Sequence, residues 1–196
     1  MTKTIYYVST SIDGFIAGAD DSLDWLYEID PSDRDISQFA SEVGVVAMGA
    51  VTYESVLRDS ALLEHPERWQ EAHSGRPVWV FTHRELPRVP GADITFVSGD
   101  VRRVHQEMVG AALGRNILIA GGGGLATAFA QAGLLDEMFI CVVPVVLASG
   151  KPVFTSSLTS AQLRLSKAEQ VGQVAYLTYR VLAAHAQLPR RSVPDA

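Results

Sequence analysis

Apolar residues in this chain fall into short β-branched runs, and between the runs single apolar positions recur every three or four residues. The first pattern predicts buried strands and the second predicts amphipathic helices. Thr4 to Val8 is the first predicted strand. Asp13-Gly14 is a turn signal, and Phe15-Ile16-Ala17 resumes an extended segment. A polar loop, Ala19 to Ser22, precedes Leu23-Asp24-Trp25-Leu26. Pro31-Ser32 opens a helix, with Ser32 as cap, Asp33 and Asp35 in the first turn, and Ile36, Phe39, Ala40 and Val43 on one apolar face. Val45 to Met48 is a buried strand, and Tyr53 to Leu57 is helical. Asp59 to Arg76 is a polar surface connection with some helix. Val78 to Phe81 and Ile94 to Val97 are strands. Val101 to Leu113 is a helix with Val104, Met108, Ala111 and Ala112 inward. After the Asn116–Leu135 stretch, Glu137 to Val143 is a strand and Pro144 to Pro152 a loop, with a short apolar return at Val153-Phe154. Leu163–Ala168 and Val174–Val181 alternate about Val171-Gly172 and predict a hairpin.

Strands alternating with helices predict an α/β fold: a mainly parallel sheet with helices on both faces, closed by the antiparallel C-terminal hairpin. One domain is expected over residues 1–182, with a polar tail at 183–196. Ligands of such sheets sit outside the carboxyl ends of the strands. That rule selects Gly49–Thr52, Thr82–Arg84, Ser98–Gly99 and Gly121–Gly124.

The last of these is the most informative. Asn116 to Leu135 reads NILIAGGGGLATAFAQAGLL: a short strand through Ala120, four glycines, then helical spacing from Leu125. Glycines let backbone approach a ligand, and the first turn of a helix leaves N–H groups free for an anion. Gly121-x-Gly123-x-x-Ala126 fits the loose dinucleotide fingerprint, but the next strand runs into Pro144-Val145 without the acid that a Rossmann unit places on the ribose. The stretch therefore predicts a nucleotide-phosphate site outside a standard Rossmann domain. The alternative is a tight turn with no ligand.

Composition narrows the classes. At 196 residues, 47% apolar and 19% charged, the chain is an ordinary globular protein with a substantial core. Its net charge of −6 argues against nucleic-acid binding. Cys141 is the single cysteine, so neither a disulfide framework nor a cysteine zinc site is expected. No apolar run is long enough for a membrane span. The opening MTKTIYYVST reads as a strand rather than a signal peptide, which makes a cytoplasmic location the default. His65, His73, His83, His105 and His185 lack metal spacing, so no metal is predicted. No Gly-x-Ser-x-Gly is present.

Several ordered motifs together resemble the dihydrofolate reductase-like fold, and most closely the RibD C-terminal domain family of riboflavin-biosynthesis reductases in its stand-alone form. They are Ser11-Ile-Asp-Gly-Phe-Ile-Ala17 with Ser22-Leu-Asp-Trp25, Met48-Gly-Ala-Val-Thr-Tyr-Glu-Ser55, Ile119-Ala-Gly-Gly-Gly-Gly124, Gly133-Leu-Leu-Asp-Glu137, Pro144-Val-Val-Leu-Ala-Ser-Gly150 and Gly172-x-Val174-x-x-Leu177-x-Tyr179. The resemblance implies an NADPH-dependent reductase. On that likeness Ala120, Gly121, Gly122, Gly123, Gly124 and Leu125 would hold the pyrophosphate and nicotinamide half, with Gly49 and Thr52 across from them. Thr82, His83 and Arg84 would meet the adenosine 2′-phosphate. Ser98 and Gly99 would line the adenine pocket, and Ile16 and Ala17 would border the nicotinamide. Read alone, Arg84 is a solvated loop charge.

Three departures stand out. Ala50 replaces the basic residue that follows this glycine in dihydrofolate reductases. The Pro-Cys-x-x-Cys zinc ligands of the deaminase domain in the bifunctional riboflavin enzyme do not occur in this sequence. Leu147-Ala-Ser-Gly150 is poorer in glycine than the family's usual turn.

Hydride transfer needs the acceptor held against the nicotinamide with water excluded. Asp24 is the candidate proton donor: beside Trp25 it could be desolvated, which would raise its pKa. Its alternative is to cap or solvate a loop. Trp25 is a candidate pocket wall or a core residue. Tyr53 and Ser55 are candidates for the substrate side or for packing. Asp13 is read as a turn former. The expected function is an NADPH-dependent reductase of a small pterin-like, pyrimidine-like or carbonyl substrate. Authentic dihydrofolate reductase and a non-catalytic NADPH-binding module are the alternatives. A homodimer through Phe139–Val146 and Val174–Val181 is expected.

Overall fold

The structure, a computed structural model, describes residues 1–28 and 36–182. Ten strands and six helices follow one another there. The strands are β1 (Thr4–Thr10), β2 (Phe15–Ala17), β3 (Val43–Gly49), β4 (Val78–Phe81), β5 (Ile94–Val97), β6 (Asn116–Ala120), β7 (Glu137–Val142), β8 (Lys151–Pro152), β9 (Leu163–Val171) and β10 (Val174–Val181). The helices are α1 (Asp24–Tyr27), α2 (Ser37–Glu42), α3 (Ala50–Asp59), α4 (Glu67–His73), α5 (Val101–Ala111) and α6 (Gly123–Gln131).

Eight strands form one sheet in the order β5-β4-β3-β6-β1-β7-β10-β9. The first six are parallel, so their carboxyl ends lie along one edge. β10 returns antiparallel to β7, and β9 closes the sheet as its hairpin partner about Gly172, whose φ is +56°. This is the α/β, mainly parallel architecture expected, with the C-terminal hairpin in place.

The two faces of the parallel strands are buried separately, as period-2 alternation requires. Val45 and Ala47 of β3 pack with Val104 and Met108 of α5 and Phe129 of α6. Val46 and Met48 pack on the opposite face with Tyr53 and Leu57 of α3 and Trp69 of α4. Val43 through Met48 are all buried, which is why this strand reads as an unbroken apolar run. Each such side chain contributes roughly 1.5–3 kcal/mol on full burial.

One local expectation changes. Val43 belongs to β3, paired with Asn116, and not to the preceding helix; α2 ends at Glu42 and buries none of its residues. A β-branched residue followed by valines is better placed in the sheet than on a short helix. The expected helix start at Pro31–Asp35 and the tail 183–196 lie outside the described residues. Asp59–Arg76 contains α4, ended by Ser74 in the left-handed conformation. Among the described residues no helix is long and apolar enough to cross a membrane, and no group of three or more His, Cys, Asp or Glu is placed to hold a metal.

Candidate active site

The carboxyl ends of β1, β3 and β6 open onto a cavity of about 470 Å³. Its floor is the glycine turn. Gly121 and Gly122 have φ of +64° and +76°, a region that side chains disfavour, and Gly122 is the N-cap of α6. Gly123 is buried against β8: a methyl group there would sit 2.2 Å from the Pro152 carbonyl oxygen. Gly124 has nothing within 4 Å of where a side chain would start. Turn geometry therefore accounts for three glycines, while the fourth presents bare backbone to open space. No side chain caps α6, whose first residues, Gly123 and Gly124, line the cavity.

Thr52 and Ser55 project from α3 into the same cavity. Thr52 Oγ1 would be 3.1 Å from a methyl group on Gly121, so hydroxyl and glycine turn face each other directly. Ile16 and Ala17 of β2 form the opposite wall. The turn before β2 is fixed by Thr10 Oγ1, which donates to the Phe15 carbonyl at 3.1 Å, and by Ser11 Oγ, which accepts from the Phe15 N–H at 2.9 Å. Asp13 does more than form the Asp-Gly turn. Its carboxylate accepts from the backbone N–H groups of Leu147 and Ala148, at 3.2 and 2.8 Å, and ties down the Pro144–Gly150 loop. Its hydrogen bond with Ser11 and these two backbone N–H groups hold its carboxyl below the ordinary carboxylate pKa. Gly150 lies so close to β2 that a methyl group there would be 2.1 Å from the Ala17 carbonyl oxygen. β8 thus pairs antiparallel with β2 as a two-stranded flap beside the cavity.

The expected residues divide into three groups. Ile16, Ala17, Thr52, Ser55 and Gly121 through Gly124 meet at the cavity. Gly49 ends β3 and caps α3, and Ala120 and Leu125 pack into the cores that carry the turn. Thr82, His83, Arg84, Ser98 and Gly99 lie farther along the same sheet edge, at the ends of β4 and β5. His83, Arg84, Ser98 and Gly99 are exposed there. Arg84 does not stand free: its two terminal nitrogens donate to the two carboxylate oxygens of Glu54, at 2.9 and 2.8 Å.

The structure keeps three candidates away from the cavity. Trp25 is a core residue, packed with Cys141, Val143 and Val174 beyond the flap. Tyr53 is fully buried between Trp69 and Phe96, with its hydroxyl donating to the Pro87 carbonyl at 2.7 Å. Burial raises its pKa. Asp24 opens α1 with its side chain exposed, so the desolvation expected of it is not seen. A helix of four residues turns Trp25 inward and its neighbour outward, which makes the two alternatives incompatible on this segment.

Among the described residues, the carboxylates that reach the cavity are Asp21 and Asp59. Asp21 holds an unusual φ of +65°, and its Oδ1 lies 3.4 Å from Lys151 Nζ on the flap. That ion pair lacks hydrogen-bond geometry, leaving the solvent-shielded Oδ1 without a hydrogen bond. Asp21 and Lys151 carry no signal in the sequence because one sits in a short polar loop and the other in a two-residue strand, neither long enough to show a period. Only the folded flap puts them together.

The family match places the chain among reductase-type proteins. The model of the RibD C-terminal domain matches residues 2–177, and the chain belongs to that family. It is 34% identical over 182 residues to the uncharacterised YwjB of Bacillus subtilis (strain 168), covering 90% of this chain and 97% of that protein. A crystal structure from Shewanella sp. PV-4, named for riboflavin biosynthesis, superposes with a TM-score of 0.73 at 28% identity, over 92% of this chain and 99% of that one. Dihydrofolate reductase from Enterococcus faecalis superposes with a TM-score of 0.58 at 15% identity, over 91% of this chain and 96% of that one, which shows the shared fold.

Proposed function

We propose that the chain is an NADPH-dependent reductase of a small heterocyclic or carbonyl substrate. The observation that carries this reading is Gly124: its backbone faces an open cavity at an uncapped helix N-terminus, beside two glycines in the left-handed region. Bare N–H groups at a helix start suit the pyrophosphate of a dinucleotide. Thr52 adds a hydroxyl from the other side. Ala17, small and buried on the cavity wall, leaves room for a flat ring, and Ile16 excludes water beside it. When bound, NADPH supplies the hydride for a C=N or C=O carbon.

The chain's own task is then to hold the acceptor and supply polarity where charge develops. Lys151 and Asp21 are the oppositely charged groups at the flap, and they suit an acceptor with adjacent hydrogen-bond donors and acceptors. The proton that completes the reduction comes from water or a cavity carboxyl. Asp21 faces the acceptor's space, whereas Asp24 faces solvent. A homodimer is part of this reading. β7 and β10 are both interior to the sheet, so faces rather than edges of these strands are available to a second copy.

Titration with NADPH and NADH, read by calorimetry, tests the cofactor. Saturable binding of NADPH that weakens in Gly124→Ala supports the reading, and no binding of either dinucleotide refutes it. Acceptors are then screened by loss of NADPH absorbance among pterins, pyrimidines and small carbonyls. Sedimentation velocity reads the oligomer.

A further inference from the structure

Arg84 and Glu54 form the one side-chain pair at this sheet edge with fork-to-fork geometry among the described residues. Thr82 fixes the backbone: its Oγ1 accepts from the Arg84 N–H at 2.9 Å. The guanidinium then meets α3, where both Glu54 oxygens accept from it. Glu54 lies between Tyr53, locked in the core, and Ser55, which lines the cavity. Its place is therefore set by the same helix that brings Thr52 to the glycine turn. The pair sits at the end of β4, two strands from the end of β6, or about 10 Å across the sheet. That is the scale separating a dinucleotide's pyrophosphate from the 2′ position of its adenosine.

Of the five N–H donors of a guanidinium, the end-on pair is filled here by a carboxylate of the same chain. A phosphate arriving at Arg84 must therefore displace Glu54 or take the remaining donors beside its negative charge. A ribose hydroxyl need not displace anything, because a carboxylate accepts hydrogen bonds from it. Resting on the reductase reading above, we propose that Glu54 is a specificity-determining residue that sets the preference between NADPH and NADH by competing with the 2′-phosphate for Arg84. The pair is partly exposed, with side-chain exposures of 56% for Arg84 and 37% for Glu54. Displacement is then affordable and the effect is graded: NADPH still binds, with its advantage over NADH reduced.

The test is calorimetric titration of wild type, Glu54→Gln, Glu54→Ala and Arg84→Ala with NADPH and NADH, with no acceptor present. Glutamine keeps the length and one acceptor but removes the charge and the fork. The expected result is about tenfold tighter NADPH binding in both Glu54 variants, with NADH unchanged or weaker. Arg84→Ala loses the preference for NADPH. If the NADPH-to-NADH ratio of both Glu54 variants stays within about twofold of wild type while both nucleotides bind, the competition is refuted and the reductase reading stands. If neither nucleotide binds any of the four proteins, both readings fall.

Discussion

Replacing Gly123 with alanine adds one methyl group at a helix position where alanine is intrinsically preferred, by about 1 kcal/mol. Sequence logic alone therefore predicts a more stable protein. The structure reverses the sign. The new carbon would lie 2.2 Å from the Pro152 oxygen, 2.9 Å from the Val153 oxygen and 3.0 Å from the Val153 carbonyl carbon, against the 3.4 Å at which ordinary contact begins. All three obstacles are backbone, so no side-chain rotation relieves them, and either α6 or the flap strand β8 must move. Overpacking of this kind costs about 1–3 kcal/mol and sometimes more, so a net loss of about 2 kcal/mol is expected. For a domain of this size that is a fall in Tm of roughly 4–8 °C. Gly124→Ala is the internal control. It adds the same methyl group one residue later into open space, and its fold gains up to about 1 kcal/mol. Thermal unfolding followed by circular dichroism compares the two. A Tm for Gly123→Ala equal to or above that of Gly124→Ala would show that the helix and flap do not touch as described.

Further expectations concern the residues around the site. Tyr53→Phe removes the hydroxyl bonded to Pro87 and costs about 1 kcal/mol by urea denaturation, while NADPH affinity is unchanged because the ring lies in the core. Asp13 titrates lower in the folded state than when unfolded, so its contribution is complete above the ordinary carboxyl pKa of 3.8 and is lost as pH falls through its lower folded value. Asp13→Ala should consequently show a smaller acid-induced drop in Tm than wild type. His73 and His105 are both lowered by burial, so the unfolded chain takes up protons first as pH falls below 6.5. Stability therefore declines from pH 7 towards pH 5, and His105→Asn flattens that decline in a Tm series. Once an acceptor is identified, Asp24→Asn should leave the rate unchanged across pH and Asp21→Asn should lower it; the opposite ranking returns the proton to Asp24.

The strands are legible in the sequence because their burial is two-sided: Val43–Met48 and Val78–Val80 are runs that no exposed segment would tolerate. The glycine turn is legible too, because its backbone requirements are written directly in the residue type. Side-chain direction was less legible. Trp25 and Tyr53 were read by their neighbours' motifs, but each is turned inward by a helical register that the pattern around it does not specify. Arg84 looked like a phosphate ligand because its partner, Glu54, is thirty residues away in sequence. Asp21 and Lys151 are farther apart still, and nothing in their local sequence shows that they will share a cavity.

The strand order has a consequence for how the molecule comes into being. β1 is the earliest strand made, yet its two neighbours are β6 and β7, whose residues begin at Asn116 and Glu137. Until most of the chain has left the ribosome, Tyr6 and Val8 have no neighbouring strand to pair with. Parallel pairings of such long sequence separation form slowly, and a waiting apolar strand is open to other chains meanwhile. The cavity, which borrows Val8 and Ser9 from β1 and its glycines from the end of β6, cannot be assembled in part. Lower expression temperature and added chaperone are then expected to raise the yield of intact protein.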